Sequence, residues 1–128
     1  MANDKIIAIG KKNPNLPFHP AVRAGDFIFV SGQVPKDENG NMCGAANIEE
    51  QTRWTLEAIK RILALEGADL SDVVKITTYI EDARNFGRYN GVFKEYFPEG
   101  KLARTTVECR LAIDCMIEMD AVAYKPKG

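Results

Sequence analysis

The sequence predicts a fold of mixed α and β elements: a sheet of five or six strands carrying two helices over one of its faces. Three observations lead there. Short apolar, β-rich runs recur along the chain, two stretches repeat their apolar residues at helical spacing, and glycines and prolines stand singly between them where turns are needed. With 128 residues, 45% hydrophobic and 27% charged, the chain is expected to bury a core as one domain spanning 1–128 without metal or disulfide staples.

The elements follow in order. Lys5 to Ile9 suits a short strand, and Asn13 to Pro20, with three prolines, is an irregular segment. Phe27 to Val34 is apolar and β-rich, and Glu38-Asn39-Gly40-Asn41 beyond it supplies the residues of a hairpin or tight loop. A helix comes next. Asn47 is its N-cap with Glu50 at N3, and Ile48, Thr52, Thr55, Leu56, Ile59, Ile62 and Leu63 keep helical spacing until Gly67. Val73 to Ile80 is a strand, and Asp82 caps a second helix with Phe86, Asn90, Phe93 and Phe97 on one stripe before Pro98 and Gly100. Arg104 to Leu111 and Cys115 to Tyr124 alternate as two more strands, and the short connection between them predicts an antiparallel pair.

Two helices shield only one face of such a sheet, yet Phe27-Ile28-Phe29-Val30 and Val73-Val74 send apolar side chains to both. A second copy of the chain is expected on the uncovered face. The alternative is a monomer that closes its sheet into a barrel.

Charge narrows the partners. Seventeen Lys and Arg stand against 18 Asp and Glu, a net charge of -1 with no basic run, so nucleic acid is not expected as the main ligand. Apolar runs such as Ile6 to Ile9 fall far short of the ~20 residues that span a bilayer. No membrane association is expected. Residues 1–12 lack a signal-peptide core, which points to the cytoplasm. Cys43, Cys109 and Cys115 form an odd set without C-x-x-C spacing and suit reduced, packed thiols.

Several chemistries fail on inventory. His19 is the single histidine, so no His cluster for a metal exists, and neither a phosphate-binding loop, G-x-G-x-x-G nor G-x-S-x-G occurs. What remains lies on the last two strands. Arg104, Thr106, Glu108 and Arg110 share one face of the first, and Glu118 and Asp120 share one face of the second. They form either a cross-strand ion-pair ladder or a site in which an Arg fork holds a carboxylate and a Glu moves protons to and from water. Asn90, followed by Gly91 inside an aromatic stripe, either satisfies nearby backbone or serves such a site.

From about Asn13 to Tyr124 the chain resembles the RidA-like (YjgF) family of reactive-intermediate deaminases. The resemblance is carried by Phe29-Val30-Ser31-Gly32-Gln33-Val34-Pro35, Gln51-Thr52, Gly67-Ala68-Asp69 with Asp72-Val73-Val74-Lys75, Asn90 before Tyr96-Phe97, Ala103-Arg104-Thr105-Thr106-Val107, and Ile117-Glu118-Met119-Asp120-Ala121-Val122-Ala123. It implies an α+β, chorismate-mutase-like fold, and a homotrimer with a central barrel and sites in the clefts between subunits. The implied reaction is cofactor-free hydrolysis of 2-imino or enamine acids to 2-oxo acids and ammonia. By position, Arg104 matches the arginine that grips the substrate carboxylate and Glu118 the acidic residue that handles water. Ser31 and Asn90 match pocket residues. Phe18 and Thr106 stand where archetypal members carry tyrosine and cysteine, and the turn before Glu118 is one residue shorter, which bears on substrate choice. The resemblance leaves three alternatives: a 2-aminomuconate-type deaminase, with Arg110 or another base meeting a second carboxylate; a non-catalytic regulatory trimer binding small carboxylates; and an endoribonuclease or translation inhibitor.

Overall fold

A computed structural model describes residues 3–127. Its strands are β1 (Ile6–Ile9), β2 (Ala21–Ala24), β3 (Phe27–Gln33), β4 (Val73–Ile80), β5 (Ala103–Glu108) and β6 (Ile117–Tyr124), and its helices are α1 (Ile48–Ala64) and α2 (Phe86–Tyr96). They form one six-stranded mixed sheet in the order β1-β2-β3-β6-β4-β5, in which only β4 and β5 run parallel. The fold is α+β, as expected.

α1 forms where local signals agree. The Asn47 side chain accepts from the Glu50 backbone N–H at 2.9 Å, and Glu49 and Glu50 place negative charge at the positive end of the helix dipole. Its inner stripe, including Ile48, Leu56, Ile59 and Leu63, is fully buried against Ile28, Ile76, Ile117 and Met119 of the sheet. Thr52 and Thr55 lie on that buried stripe because their hydroxyls donate back to the carbonyls of Ile48 and Gln51, at 2.7 and 2.8 Å. At the far end Gly67 takes φ +70°, and the Ala68 N–H closes the helix onto the Leu63 carbonyl.

α2 starts later than its cap suggested. The Asp82 side chain accepts from the Arg84 backbone N–H, but it opens a short 3-10 turn, Ala83–Asn85, and the α-helix begins at Phe86.

Several expectations need correction. The last two strands do not pair with each other: β4 lies between them, hydrogen-bonded to parallel β5 on one side and to antiparallel β6 on the other. The β4-α2-β5 crossover carries β5 to the sheet edge, and β6 then returns to the gap between β3 and β4. β5 also stops at Glu108, so Arg110 lies beyond the strand, and Glu108 faces away from Glu118. No ladder of facing charges forms there: among the described residues none of Arg104, Glu108, Arg110, Glu118 and Asp120 is in a salt bridge.

The sequence predicts no element at Ala21–Ala24, yet these residues form β2, a strand whose short apolar run is interrupted by a charged residue. Arg23 is nonetheless buried. Its guanidinium meets Glu66 at 2.7 Å and the carbonyls of Gly25 and Lys125 at 3.2 and 2.8 Å.

Nor does the sheet close into a barrel. β1 pairs only with β2, and β5 only with β4, so both edges are open among the described residues. Opposite the helices lies a bare face. Phe27 stands across from Tyr124 and Phe29 across from Val122, and Phe29 is 45% exposed.

Candidate functional site

Register decides where each candidate side chain points, because residues paired across neighbouring strands face the same side. Arg104 stands opposite Ile76 and Thr106 opposite Thr78, both on the side covered by the helices. There Arg104 meets α2. Its guanidinium carbon lies 5.6, 5.1 and 4.7 Å from the ring centres of Phe86, Tyr89 and Phe93, and its Nη1 donates to the Asn90 Oδ1 at 2.8 Å. Asn90 serves the arginine rather than nearby backbone. The remaining N–H donors of that fork have no acceptor among the described residues.

Tyr89 holds this arrangement from below. Fully buried, it donates its hydroxyl proton to Thr78 at 2.9 Å, and with that proton committed it accepts from the Thr106 hydroxyl at 2.8 Å. Thr106 is therefore tied to the layer that carries the ring cradle. The signal for Tyr89 was present in the sequence: Phe86, Tyr89 and Phe93 share a helical face at i, i+3 and i+7.

Glu118 is on the other side. It stands opposite Tyr79, and Asp120 opposite Thr77, so both acidic side chains point to the face without helices. Glu118 borders a cleft of about 500 Å³ with Phe18, Ser31, Gly32, Lys36 and Ile113. The Ser31 hydroxyl donates to the His19 carbonyl at 2.8 Å, and the Ser31 N–H to the Pro20 carbonyl at 2.9 Å. Ser31 is thereby a tether that fixes the segment carrying Phe18, with its proton spent on backbone.

Gly32, to which the sequence alone gives no site role, has a clear physical one. A Cβ at that position would run into the Glu118 carboxylate, so the absent side chain lets the carboxylate lie close against β3. Burial first, and then the negative charge of Asp120, hold the Glu118 carboxyl above the ordinary carboxylate range. A smaller recess of about 240 Å³ adjoins it, bordered by Tyr79, Cys109, Arg110, Glu118 and Asp120.

The structure thus brings the candidates together in two groups. Phe18, Ser31 and Glu118 share the open-face cleft, while Asn90, Arg104 and Thr106 share the helix side. It does not bring the two groups together within one chain. Among the described residues no group of three His, Cys, Asp or Glu is placed to hold a metal ion. All three cysteines are free, and burial pushes the Cys115 thiol up. No helix of the described residues is long and apolar enough to cross a membrane.

Known proteins share this architecture. The family model described as endoribonuclease L-PSP matches residues 10–125. A RutC family protein of Pyrococcus abyssi is 44% identical over 126 residues, covering 98% of this chain and 99% of that protein. The 3-aminoacrylate deaminase RutC of Acinetobacter baylyi is 36% identical over 125 residues, covering 97% of this chain and 99% of that one. Among solved structures, yeast Mmf1 superposes with a TM-score of 0.86 at 25% identity, covering 94% and 98% of the two chains. A protein of the conserved Rid family from Yersinia pestis gives 0.82 at 29% identity, covering 93% and 98%.

Proposed function

The chain belongs to the endoribonuclease L-PSP family, which includes the RutC and Rid proteins, and from that premise we propose that it hydrolyses small 2-imino or enamine carboxylic acids to 2-oxo acids and ammonia. The observation that carries this reading is the Arg104 guanidinium, seated among three rings, oriented by Asn90 and left with unused donors. A planar fork of that kind matches a carboxylate through two parallel hydrogen bonds. Glu118 supplies the second part: a carboxyl held partly away from water, with a raised affinity for protons, beside a cleft.

In this mechanism Arg104 holds the substrate carboxylate and offsets its charge, which leaves the C=N carbon more open to attack. A water molecule gives a proton to Glu118 as its oxygen bonds to that carbon. The C=N π pair moves to nitrogen, which takes up a proton from solvent. Collapse of the resulting carbinolamine forms the C=O bond and breaks C–N. The hydroxyl proton returns to solvent and Glu118 gives its proton to the departing ammonia. Atoms balance without any cofactor.

Arg104 and Glu118 face opposite sides of the sheet, so one substrate meets both only where two chains adjoin. We take the assembly to be a homotrimer, with Arg104, Asn90 and Thr106 from one subunit and Glu118, Phe18 and Ser31 from its neighbour. The exposed Phe27, Phe29 and Tyr124 support burial of the bare face by further copies. The ribonuclease in the family description finds less support here, since the chain has a net charge of -1 and one histidine.

The test generates 2-iminobutanoate in situ with a threonine dehydratase and follows imine loss against 2-oxobutanoate formation. Wild type should accelerate hydrolysis. Arg104→Ala should lose about a hundredfold or more while keeping its assembly, because substrate positioning is lost. Glu118→Gln should also be inactive. Unchanged turnover in Arg104→Ala overturns the assignment, and binding of 2-oxobutanoate without any acceleration by wild type favours a carboxylate-binding regulator.

A further inference from the structure

Beside Glu118, on the same face of β6, lies an acidic side chain that the mechanism has not used. Asp120 is half-buried, and its carboxylate accepts a hydrogen bond from the Tyr79 hydroxyl at 3.2 Å. Tyr79 stands directly across from Glu118 on β4, and all three side chains border the same recess. Among the described residues Asp120 has no cationic partner, although Arg110 borders that recess. The nature of the tether matters. A guanidinium would cancel the Asp120 charge, whereas a neutral phenol fixes the carboxylate in place and leaves its charge to act on its neighbour.

We propose that Tyr79 and Asp120 form a positioning pair for the proton transfers assigned to Glu118. The inference rests on the reading of Glu118 as the group that handles water. Asp120 does not touch the reacting atoms; its fixed negative charge makes Glu118 a stronger base than burial alone would, which favours removal of a proton from water. The other groups facing Glu118 do not substitute for it. β3 presents no titratable side chain there; Cys109 and Arg110 lie beyond β5; Lys11 and Lys36 line the cleft without a salt bridge to Glu118; and Lys75, on the same face of β4, donates to Thr105 at 2.8 Å. The Tyr79 hydroxyl is itself held above its ordinary range, first by the Asp120 charge and then by burial, so it stays a proton donor throughout the working pH range.

The experiment follows the Glu118 side-chain carboxyl by carbon-detected NMR across pH in the full chain, alongside the pH profile of kcat/KM for 2-iminobutanoate. Asp120→Asn keeps an acceptor for Tyr79 and removes only the charge. Its Glu118 midpoint should move to lower pH, the acid limb of the profile should move with it, and kcat should fall about three- to tenfold. Tyr79→Phe, which frees Asp120 to turn toward solvent, should move the midpoint the same way by less. Asp120→Glu should restore both readouts, which a merely structural role would not predict. A folded, active Asp120→Asn enzyme whose midpoint stays at the wild-type value overturns the pair. A midpoint that moves in a protein without deaminase activity upholds the coupling and removes the proposed function instead.

Discussion

The Arg104 side and the Glu118 side of this sheet are built by different means. Arg104 points into packed protein: three aromatic rings surround its guanidinium, Asn90 orients it, and the buried Tyr89 hydroxyl ties Thr106 to the same layer. One chain completes that arrangement. Glu118 points to a face with no helices, along a cleft whose apolar walls are still in solvent, with Phe18 50% and Ile113 49% exposed. Its carboxylate keeps its place through a missing atom, the Cβ of Gly32, rather than through packing. An anion anchor and a proton carrier have opposite needs. A guanidinium stays charged wherever it is held, so it gains from rigid seating, while a carboxyl must sit where water reaches it and partial desolvation raises its proton affinity.

Mixing two inactive variants tests this division most severely. Arg104→Ala chains lack the anchor and Glu118→Gln chains lack the carrier, so each homo-oligomer should be inactive. Unfolded together and refolded at equal amounts, random assembly gives roughly a quarter of the subunit junctions an intact arginine from one chain and an intact glutamate from the other. Activity should return to about that fraction of wild type. A site contained in one chain would recover nothing, and that outcome removes the shared-cleft reading while leaving each half intact.

The next largest effect is expected at Gly32. In Gly32→Ala the new methyl meets the far end of a flexible side chain, so Glu118 swings aside and the fold is little disturbed. Misplacing the carboxyl by about an ångström should lower kcat about a hundredfold with little change in melting temperature. A fully active Gly32→Ala enzyme would show that the close approach has no part in the chemistry.

Legibility in the sequence followed the same divide between local and long-range causes. α1 was readable because Asn47, Glu50, its apolar spacing and Gly67 all act within the helix itself. The ring stripe on α2 was readable for the same reason. The place of β5 was not, because a strand at the sheet edge and one in its interior alternate alike, and the partner is chosen by how the α2 crossover packs. β2 was missed since nothing near Arg23 announces that Glu66, 43 residues on, would make its burial tolerable. Arg104, Asn90 and Glu118 stood out in the strand and helix patterns and took their roles from the family resemblance, but the opposite facings of Arg104 and Glu118 depend on a sheet order that spacing does not contain. Gly32 was visible only as a glycine in a strand, and its meaning came from Glu118 across the sheet.

A smaller effect is expected at Asn90. Replacing it with alanine removes the acceptor at 2.8 Å from Arg104 but leaves the ring cradle, so the guanidinium keeps its charge and approximate place while losing its orientation. KM should rise about tenfold with a smaller change in kcat, measured with the same imine. A fall in kcat at unchanged KM would assign Asn90 to the transition state rather than to carboxylate binding.

The smallest effect needs no substrate and compares the two sides through stability alone. Burial and Asp120 hold the folded Glu118 carboxyl above its ordinary value of 4.5, so a proton binds the folded chain more tightly than the unfolded one. The stability from this group is fully present below that ordinary value and is lost as pH rises through the raised one. Glutamine mimics the protonated carboxyl, so Glu118→Gln should melt higher than wild type at neutral pH, by roughly one to three degrees, and the gap should close below about pH 4. Arg104→Gln should do the reverse and melt lower at both pH values, because three rings lose a cation and the stem that packs on them. Equal shifts of the same sign in the two variants would mean that both side chains are merely packed, and the contrast between a seated anchor and a strained carboxyl would fall.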